Sequence, residues 1–243
     1  GIEGDAKAVM EGLLEKVREG EPKPNQQWVS EVHDLSARRT GRLEDEGKDT
    51  SSPMKPQKVY AELRKVIPRD AIIALDAGLA PNYGQDRLNY YEPKSLITSL
   101  DLGGLGFSFP AAIGAKFAAP NRPVINFNGD GGFLFNAQEF STAVHHGLPL
   151  VTVVMNNGIW GSEKAYQRYA FDERYVGADV TNPRYDKYAE IFGGAGFYVE
   201  RPEDIGNAMI EALNCGKPSI IEIPTDPDEM PRPARLNEVQ GPA

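Results

Sequence analysis

Two short polar segments of the chain carry the residue types of a metal and phosphate site. Residues 128–132 read NGDGG and follow the aliphatic stretch 123–127, while residues 156–158 read NNG and follow the aliphatic stretch 150–155. A carboxylate, an amide oxygen and a free loop carbonyl are hard donors, which Mg²⁺ accepts when phosphate oxygens complete its octahedron. Glycine also lets backbone N–H groups approach a phosphate, and a helix that starts there adds favourable partial charge. The GDG segment alone fits a tight turn equally well, but together the two segments predict a site for a metal diphosphate.

The elements around these segments alternate in type. Aliphatic stretches typical of strands cover residues 71–75, 123–127, 150–155, 196–200 and 219–223, and helical patterns cover residues 57–67, 110–119, 133–146, 185–192 and 202–213. Aliphatic strands separated by helices indicate a parallel sheet with helices on both faces, which is a doubly wound α/β fold. Ligands of such sheets bind beyond the carboxyl ends of the strands. The two polar segments therefore follow strands whose ends can meet in space.

Four parts of the chain differ in pattern. Residues 1–20 contain one amphipathic helical stretch, and residues 21–55, rich in charge and turn residues, predict a connector. Residues 56–225 hold the α/β pattern, and residues 226–243 predict a surface tail. With 243 residues, the chain has room for one large domain with attachments.

The composition argues against several classes of protein. A net charge of −9 and a pI of about 5.0 make the chain a poor electrostatic match for nucleic acid, so an anionic ligand must be held by local groups. No apolar run is long enough to span a membrane, and the first residues lack a secretory signal pattern. The single cysteine, Cys215, excludes an intrachain disulfide. We therefore expect a cytoplasmic protein.

The spacing of the two polar segments resembles a known cofactor signature. Twenty-four residues separate Gly131 from Asn156, and this GDG-x24-NN motif resembles the thiamine-diphosphate signature of the acetolactate synthase and pyruvate decarboxylase superfamily. The resemblance implies that Mg²⁺ is bound by the Asp130 carboxylate, the Asn157 amide oxygen and the Ile159 main-chain carbonyl. The residues that it implies around the diphosphate are Gly131, Gly132, Trp160 and Gly161.

A second stretch extends the resemblance. Residues 103–115 read GGLGFSFPAAIGA, which is similar to the family's G-x-x-G-[FY]-x-x-P-A-A-I-G-A stretch. In the family, the bulky residue at the position of Leu105 lies under the cofactor and bends its two rings into a V, so the resemblance implies this role for Leu105. It also implies that the Gly103 carbonyl accepts a hydrogen bond from the aminopyrimidine. The alternative is a glycine-rich turn before a helix that serves packing alone.

The resemblance further implies that part of the active site lies outside this chain. In the family, a glutamate on a pyrimidine-binding domain nearer the N-terminus activates the cofactor, and too few residues precede Pro56 for such a domain. Residues 1–20, with the turn Gly4-Asp5-Ala6, resemble the end of the family's middle domain. We therefore expect the C-terminal third of a longer polypeptide, or one subunit of a split enzyme. Either would act in a homo- or hetero-oligomer with the domain that supplies the glutamate.

The residues after the metal segment bear on the reaction. Residues 156–180 depart from the acetolactate synthase pattern and resemble sulfoacetaldehyde acetyltransferase, which implies a small carbonyl substrate and transfer of an acetyl unit to phosphate with release of sulfite. The alternatives are a carboligase or lyase similar to acetolactate synthase or 2-hydroxyacyl-CoA lyase and, of another class, a non-catalytic cofactor-binding subunit or fragment. The positions that match the acetyltransferase are Trp160, Gly161, Glu163, Lys164, Gln167, Arg174, Tyr175 and Val176.

Three cationic side chains in this segment are candidates for substrate binding. A sulfonated aldehyde and a phosphate both need cationic partners, which Lys164, Arg168 and Arg174 provide. Alternatively, Glu163, Lys164 and Arg168 are solvated charges on one face of a helix. With an acyl-CoA substrate, the same segment would face an adenosine diphosphate tail.

Overall fold

The computed structural model of the chain describes residues 1–20, 23–99 and 102–231. The chain divides into two compact units, Gly1–Arg42 and Leu43–Ala243. The first unit is helical and contains α1 (Ala6–Glu19), whose first turn is capped by the Asp5 side chain. Helix α2 (Gln26–Glu46) begins in this unit and occupies much of the segment that the sequence predicts as a connector. Among the described residues, no helix combines the length and apolar character needed to cross a membrane.

The second unit is built on a parallel sheet. Its described residues form six strands in the order β2-β1-β3-β4-β6-β5, and all neighbouring strands pair in parallel. The prediction of a doubly wound α/β fold is therefore confirmed. The strands are β1 (Ile72–Leu75), β2 (Leu96–Thr98), β3 (Val124–Gly129), β4 (Val151–Asn156), β5 (Ala195–Tyr198) and β6 (Ser219–Pro224).

Helices cover both faces of this sheet. They are α3 (Pro56–Leu63), α4 (Leu79–Arg87), α5 (Ser108–Ala118), α6 (Asp130–Leu134), a short 3₁₀ helix (Ala137–Glu139), α7 (Phe140–His145), α8 (Gly161–Ala170), α9 (Tyr185–Ile191) and α10 (Pro202–Asn214).

Alternate residues of the central strands enter two separate cores. In β1, Ile73 packs in the core that contains Tyr60 of α3, while Ile72 packs in the core that contains Phe109 of α5. Because strands covered on both faces bury nearly all their side chains, these strands are mainly aliphatic and do not alternate regularly between apolar and polar residues. This pattern made most of the strands visible in the sequence.

The structure differs from the sequence prediction in three elements. The predicted helix 133–146 is divided into α6, the 3₁₀ helix and α7, because Asn136 leaves the helical conformation and its amide donates to the Gly106 carbonyl at 2.8 Å. Helix α4 and strand β2 were not predicted. Helix α4 contains Pro81 and Gly84, both poor helix formers, and β2 has only three residues.

The predicted surface tail begins with a packed segment. The backbone N–H of Asp226 donates to the Met54 carbonyl at 3.0 Å, and the Met230 side chain is buried with Ile159 and Ala165. The remainder of the predicted tail, from residue 232 onward, lies outside the described residues. The segment up to residue 231 therefore belongs to the second unit's packing.

Candidate functional site

A cavity of about 300 Å³ lies at the carboxyl end of the sheet. It is lined mainly by residues 77–82 after β1, Gly103 and Leu105 before α5, residues 129–132 at the end of β3, and residues following β4. The strand order reverses between β1 and β3, which is where open α/β sheets bind their ligands. We call this space the strand-end cavity.

The strand-end cavity contains all of the residues that the sequence analysis assigned to cofactor and metal. Three segments distant in sequence, 103–105, 130–132 and 157–161, supply them, so the fold brings them to one place. The assigned residues that line it are Gly103, Leu105, Asp130, Gly131, Gly132, Asn157, Ile159, Trp160 and Gly161.

The ends of β3 and β4 are joined at the Asp130 carboxylate. Asp130 is 2% exposed, and its Oδ2 accepts a hydrogen bond from the Gly158 backbone N–H at 2.9 Å. The preceding residue, Asn157, turns its Oδ1 toward the Ile159 N–H at 3.3 Å. Gly158 has a φ of +70°, a conformation that favours glycine. The two polar segments predicted from sequence therefore meet at one edge of the sheet.

Close packing explains the two glycines that follow Asp130. A Cβ on Gly131 would lie 2.7 Å from the Trp160 ring, and a Cβ on Gly132 would lie 2.6 Å from the Asp76 carboxylate. Trp160 itself is fixed by its backbone N–H, which donates to the Ala178 carbonyl at 2.8 Å. These glycines thus allow the segments after β1, β3 and β4 to approach one another.

Asp76 is a site residue that the sequence analysis missed. It follows β1, is buried, and accepts hydrogen bonds from the backbone N–H groups of Gly106 at 2.9 Å and Ser108 at 3.2 Å. It also accepts one from the Asn128 amide at 2.8 Å. Asp76 therefore ties the loop that carries Leu105 to the ends of β1 and β3. The only sequence signal was a carboxylate directly after the aliphatic stretch 71–75.

Asn182 is a second residue that the sequence analysis missed. Its Nδ2 donates to Asp130 Oδ2 at 2.6 Å and to Asn156 Oδ1 at 2.9 Å, and its Oδ1 accepts from the Tyr185 hydroxyl at 2.8 Å. Asn156 Nδ2 in turn donates to the buried carboxylate of Glu222 at 2.8 Å. No motif signals Asn182, because it lies in an irregular segment between α8 and α9.

Burial controls the electrostatics of the strand-end cavity. Loss of water raises the pKa of Asp130, and hydrogen bonds from Asn182, Gly131 and Gly158 partly offset this rise. Burial likewise raises the pKa of Asp76, and the N–H groups of Gly106 and Ser108 act against it. Among the described residues that line the cavity, none is Lys, Arg or His. Asp130 is a buried carboxylate without a cationic neighbour in the described lining, which favours a bound cation.

Comparison with known proteins identifies the family. Residues 76–223 match the family model described as thiamine pyrophosphate enzyme, C-terminal TPP binding domain. The chain belongs to this family. The predicted resemblance to thiamine-diphosphate enzymes is thereby confirmed, since thiamine pyrophosphate is another name for thiamine diphosphate.

Curated relatives of this TPP-binding domain are longer proteins. Sulfoacetaldehyde acetyltransferase of Castellaniella defragrans is 31% identical over 227 residues, which cover 87% of this chain and 38% of the relative. A probable acetolactate synthase large subunit of Methanococcus aeolicus is 30% identical over 257 residues, covering 98% of this chain and 42% of the relative. The chain thus spans about two fifths of the length of these relatives.

A solved structure has the same fold. The thiamine diphosphate-dependent 4-hydroxybenzoylformate decarboxylase of Rhodococcus jostii RHA1 superposes with a TM-score of 0.69 and 29% sequence identity. The match covers 74% of this chain and 34% of that chain.

The three cationic candidates for substrate binding do not line the strand-end cavity of this TPP-binding domain. Lys164 forms an ion pair with Asp179 at 3.3 Å, Arg168 donates to the Asp228 carbonyl at 3.3 Å, and Arg174 donates to the Phe171 carbonyl at 3.1 Å. Helix α8 instead directs Gly161, Ser162 and Glu163 to the cavity. Lys164 and Arg168 lie on α8 with 20% and 32% of their side chains exposed, and their role in substrate binding stays a prediction.

The oxygen atoms that this TPP-binding domain presents in the cavity fit a hard divalent cation. Among the residues that the structure describes, no group of three His, Cys, Asp or Glu side chains is placed to hold a metal ion. A metal in the strand-end cavity would combine a carboxylate such as that of Asp130 with amide and carbonyl oxygens, and Asn157 and Ile159 are lining residues that carry such oxygens. Helix α8 also starts at the cavity without a side-chain cap, so its first N–H groups are available to an anion.

Proposed function

We propose that this chain binds thiamine diphosphate with Mg²⁺ and contributes the diphosphate-binding part of an enzyme active site. The enzyme would cleave or transfer a two-carbon or acyl unit of a small carbonyl substrate. The observation that carries the proposal is the meeting of Asp130 with the segment Asn157-Gly158, joined by the 2.9 Å hydrogen bond to Asp130 Oδ2. Family membership supports the cofactor, and the assigned residues line one cavity.

The charge of the strand-end cavity supports a role for the metal. A diphosphate is strongly anionic, and the described lining offers it the carboxylates of Asp130 and Glu163 and no cationic side chain. The diphosphate therefore needs a divalent cation as a bridge. We assign the Asp130 carboxylate, the Asn157 amide oxygen and the Ile159 carbonyl as the ligands that this chain would provide.

Backbone groups would hold the diphosphate. The glycines at 131 and 132 keep side chains out of the cavity beside Asp130, and Trp160 packs on Gly131. Gly161 opens α8, whose first N–H groups have no side-chain partner. These groups supply partial positive charge without a lysine or arginine.

Leu105 and Gly103 would orient the reactive rings. When bound, the cofactor supplies a thiazolium carbon that adds to a carbonyl and a cationic ring that accepts the electron pair of the broken bond. Leu105 is half-buried and lines the cavity, so its apolar side chain can support the rings and exclude water. Gly103 has a φ of +66°, and no atom lies within 4 Å of a Cβ built there, so a side chain there would meet no steric obstacle, and Gly103 lines the cavity.

The remainder of the active site would come from another domain or subunit. The resemblance requires an activating glutamate on a pyrimidine-binding domain, and this chain spans only about two fifths of its curated relatives. We therefore propose a homo- or hetero-oligomer in which that domain faces the strand-end cavity. A cytoplasmic location is part of the proposal and rests on the lone Cys215 and the absence of a disulfide.

The reaction is proposed by similarity in the segment after β4. That segment and the relative from Castellaniella defragrans favour a reaction similar to that of sulfoacetaldehyde acetyltransferase, with acetyl transfer to phosphate and release of sulfite. The alignment with a probable acetolactate synthase large subunit, which covers 98% of this chain, favours a carboligase as the second candidate. Assay of the complete assembly for sulfite, acetolactate or a CoA thioester distinguishes these reactions.

Calorimetry tests the proposed site directly. We expect the chain to bind thiamine diphosphate in the presence of Mg²⁺, and we expect Asp130→Ala to abolish this binding. Asp204→Ala is a matched control, because Asp204 is an exposed carboxylate paired with Arg201 on α10. Equal binding by the wild-type chain and Asp130→Ala would remove Asp130 from the proposed site.

A further inference from the structure

The Asp130 carboxylate is oriented by two donors on one oxygen. Gly158 N–H and Asn182 Nδ2 both donate to Asp130 Oδ2, at 2.9 and 2.6 Å. Two hydrogen bonds use both lone pairs of that oxygen, so a cation would have to bind through Oδ1. The orientation of the Asn182 side-chain amide therefore matters. If this amide were rotated by 180°, its oxygen instead of its nitrogen would face the Asp130 carboxylate.

A chain of amides fixes that direction. Asn156 Nδ2 donates to Glu222 Oε1 at 2.8 Å. Because an ionised carboxylate can only accept hydrogen bonds, the NH₂ group of the Asn156 amide must face Glu222. The Asn156 oxygen then faces Asn182, whose amine donates to it at 2.9 Å. The same amine donates to Asp130, while the Asn182 oxygen accepts from the Tyr185 hydroxyl at 2.8 Å.

Glu222 is itself held in place at the far end of this chain. It is 1% exposed, and its Oε2 accepts the backbone N–H groups of Tyr185 at 2.7 Å and Asp186 at 3.4 Å, at the start of α9. In Glu222→Gln, the amide oxygen would still accept from these two N–H groups, and the amide NH₂ group would face Asn156. The side-chain amides of Asn156 and then of Asn182 would have to rotate by 180°. The Asn182 oxygen would then face the Asp130 carboxylate.

We propose that Glu222 is a positioning residue that sets the geometry and affinity of the metal site at Asp130 through Asn156 and Asn182. The inference rests on the proposed function, since it concerns the same metal site. Glu222 lies on β6 and does not line the strand-end cavity, so it would act on the metal site through the hydrogen bonds of Asn156 and Asn182. Partners of this kind typically change metal affinity by roughly 10- to 100-fold when they are removed.

The test measures binding of Mn²⁺ with thiamine diphosphate to the 243-residue chain, by calorimetry and by the electron paramagnetic resonance spectrum of the bound ion. We expect Asn182→Ala and Glu222→Gln each to weaken Mn²⁺ binding by roughly 10-fold or more and to alter the spectrum. Asn214→Ala and Glu62→Gln are controls of the same residue types outside the network, and we expect wild-type affinity for both.

A charge-neutral exchange separates amide polarity from general damage to the fold. In the double variant Glu222→Gln, Asn156→Asp, the new carboxylate at position 156 accepts from the new amide and from Asn182, so the Asn182 amine again faces Asp130. We expect Asn156→Asp alone to impair binding, because it places two carboxylates together, and the double variant to recover most of the wild-type affinity.

The outcomes distinguish this inference from the proposed function. Wild-type Mn²⁺ affinity in Glu222→Gln, or a double variant that binds no better than Glu222→Gln, would overturn the positioning role and leave the metal site standing. A wild-type chain that binds no Mn²⁺ with thiamine diphosphate would overturn the proposed function and this inference together.

Discussion

At the scale of single residues, the glycines of the GDGG motif have a packing role besides any contact with a ligand. The Trp160 ring lies against Gly131, and the Asp76 carboxylate lies against Gly132. The sequence alone suggested phosphate contact for both, because a motif does not show which side chains approach it from other strands. The same reason kept Asp76 and Asn182 out of the predicted site.

Substitution of Gly131 tests this packing. A Cβ there would lie 2.7 Å from the rigid Trp160 ring, so we expect Gly131→Ala to lower the free energy of unfolding by about 1–3 kcal/mol. Gly114→Ala in α5 is the control: no atom lies within 4 Å of its Cβ, and we expect stabilisation by up to about 1 kcal/mol. Urea unfolding measures both, and an unchanged stability of Gly131→Ala would contradict the packing role.

The buried carboxylate of Asp76 makes stability depend on pH. Burial raises its pKa in the folded chain above the usual value, so the folded state holds this proton more tightly than the unfolded state. The stability associated with the proton is present below the unfolded pKa of about 3.9 and is lost as pH rises through the folded pKa. Relative to Asp76→Asn, the wild-type chain should therefore lose stability as pH increases across that range. Urea unfolding of both chains at several pH values measures this difference, and a difference that is constant or of opposite sign would contradict it.

At the scale of elements, the strands were largely predictable and the helices around the site were less so. Stretches such as residues 150–155 are aliphatic because both faces are covered, and this pattern is local. The break at Asn136 depends on the Gly106 carbonyl, thirty residues away, and is invisible to local periodicity. Helix α4 has weak intrinsic propensity, and its position is set by packing and by an ion pair with the end of α2.

This ion pair is expected to stabilise the wall of the strand-end cavity. Arg87 at the end of α4 contacts both carboxylate oxygens of Glu46, at 2.8 and 2.7 Å, with only 9% of its side chain exposed. We expect Arg87→Ala to lower the free energy of unfolding by about 1.5–3 kcal/mol, because a charged hydrogen-bonded group is left without its partner. Arg201→Ala removes an exposed pair with Asp204 and should lower the free energy of unfolding much less than Arg87→Ala does. Equal costs in a denaturation experiment would contradict the assigned importance of the Arg87 pair.

At the scale of the whole molecule, charge and fold together define what the chain can bind. The chain carries a net charge of −9, and the strand-end cavity adds the buried carboxylate of Asp130 at the switch point of the sheet. These negative charges repel an anionic cofactor, so the cofactor binds only when a cation lies beside it. The family and the fold were recognisable from two motifs, whereas the reaction stays a proposal, since this chain spans only about two fifths of these relatives.

Removal of the metal tests this electrostatic account. We expect EDTA to abolish calorimetric binding of thiamine diphosphate, and excess Mg²⁺ or Mn²⁺ to restore it, because the described lining provides no cationic side chain. Added Na⁺ at the same ionic strength is the control and should not restore binding. Full binding in EDTA would show that backbone groups alone hold the diphosphate.

The central claim is that Asp130 and Asn157 share one divalent cation. A crystal structure of the chain with Mg²⁺ and thiamine diphosphate measures this most directly. We predict Mg²⁺ at roughly 2.1 Å from a carboxylate oxygen of Asp130 and from the amide oxygen of Asn157, with diphosphate oxygens completing the octahedron. An ion bound away from both side chains, with Asn157 Oδ1 still held by the Ile159 N–H, would contradict the account.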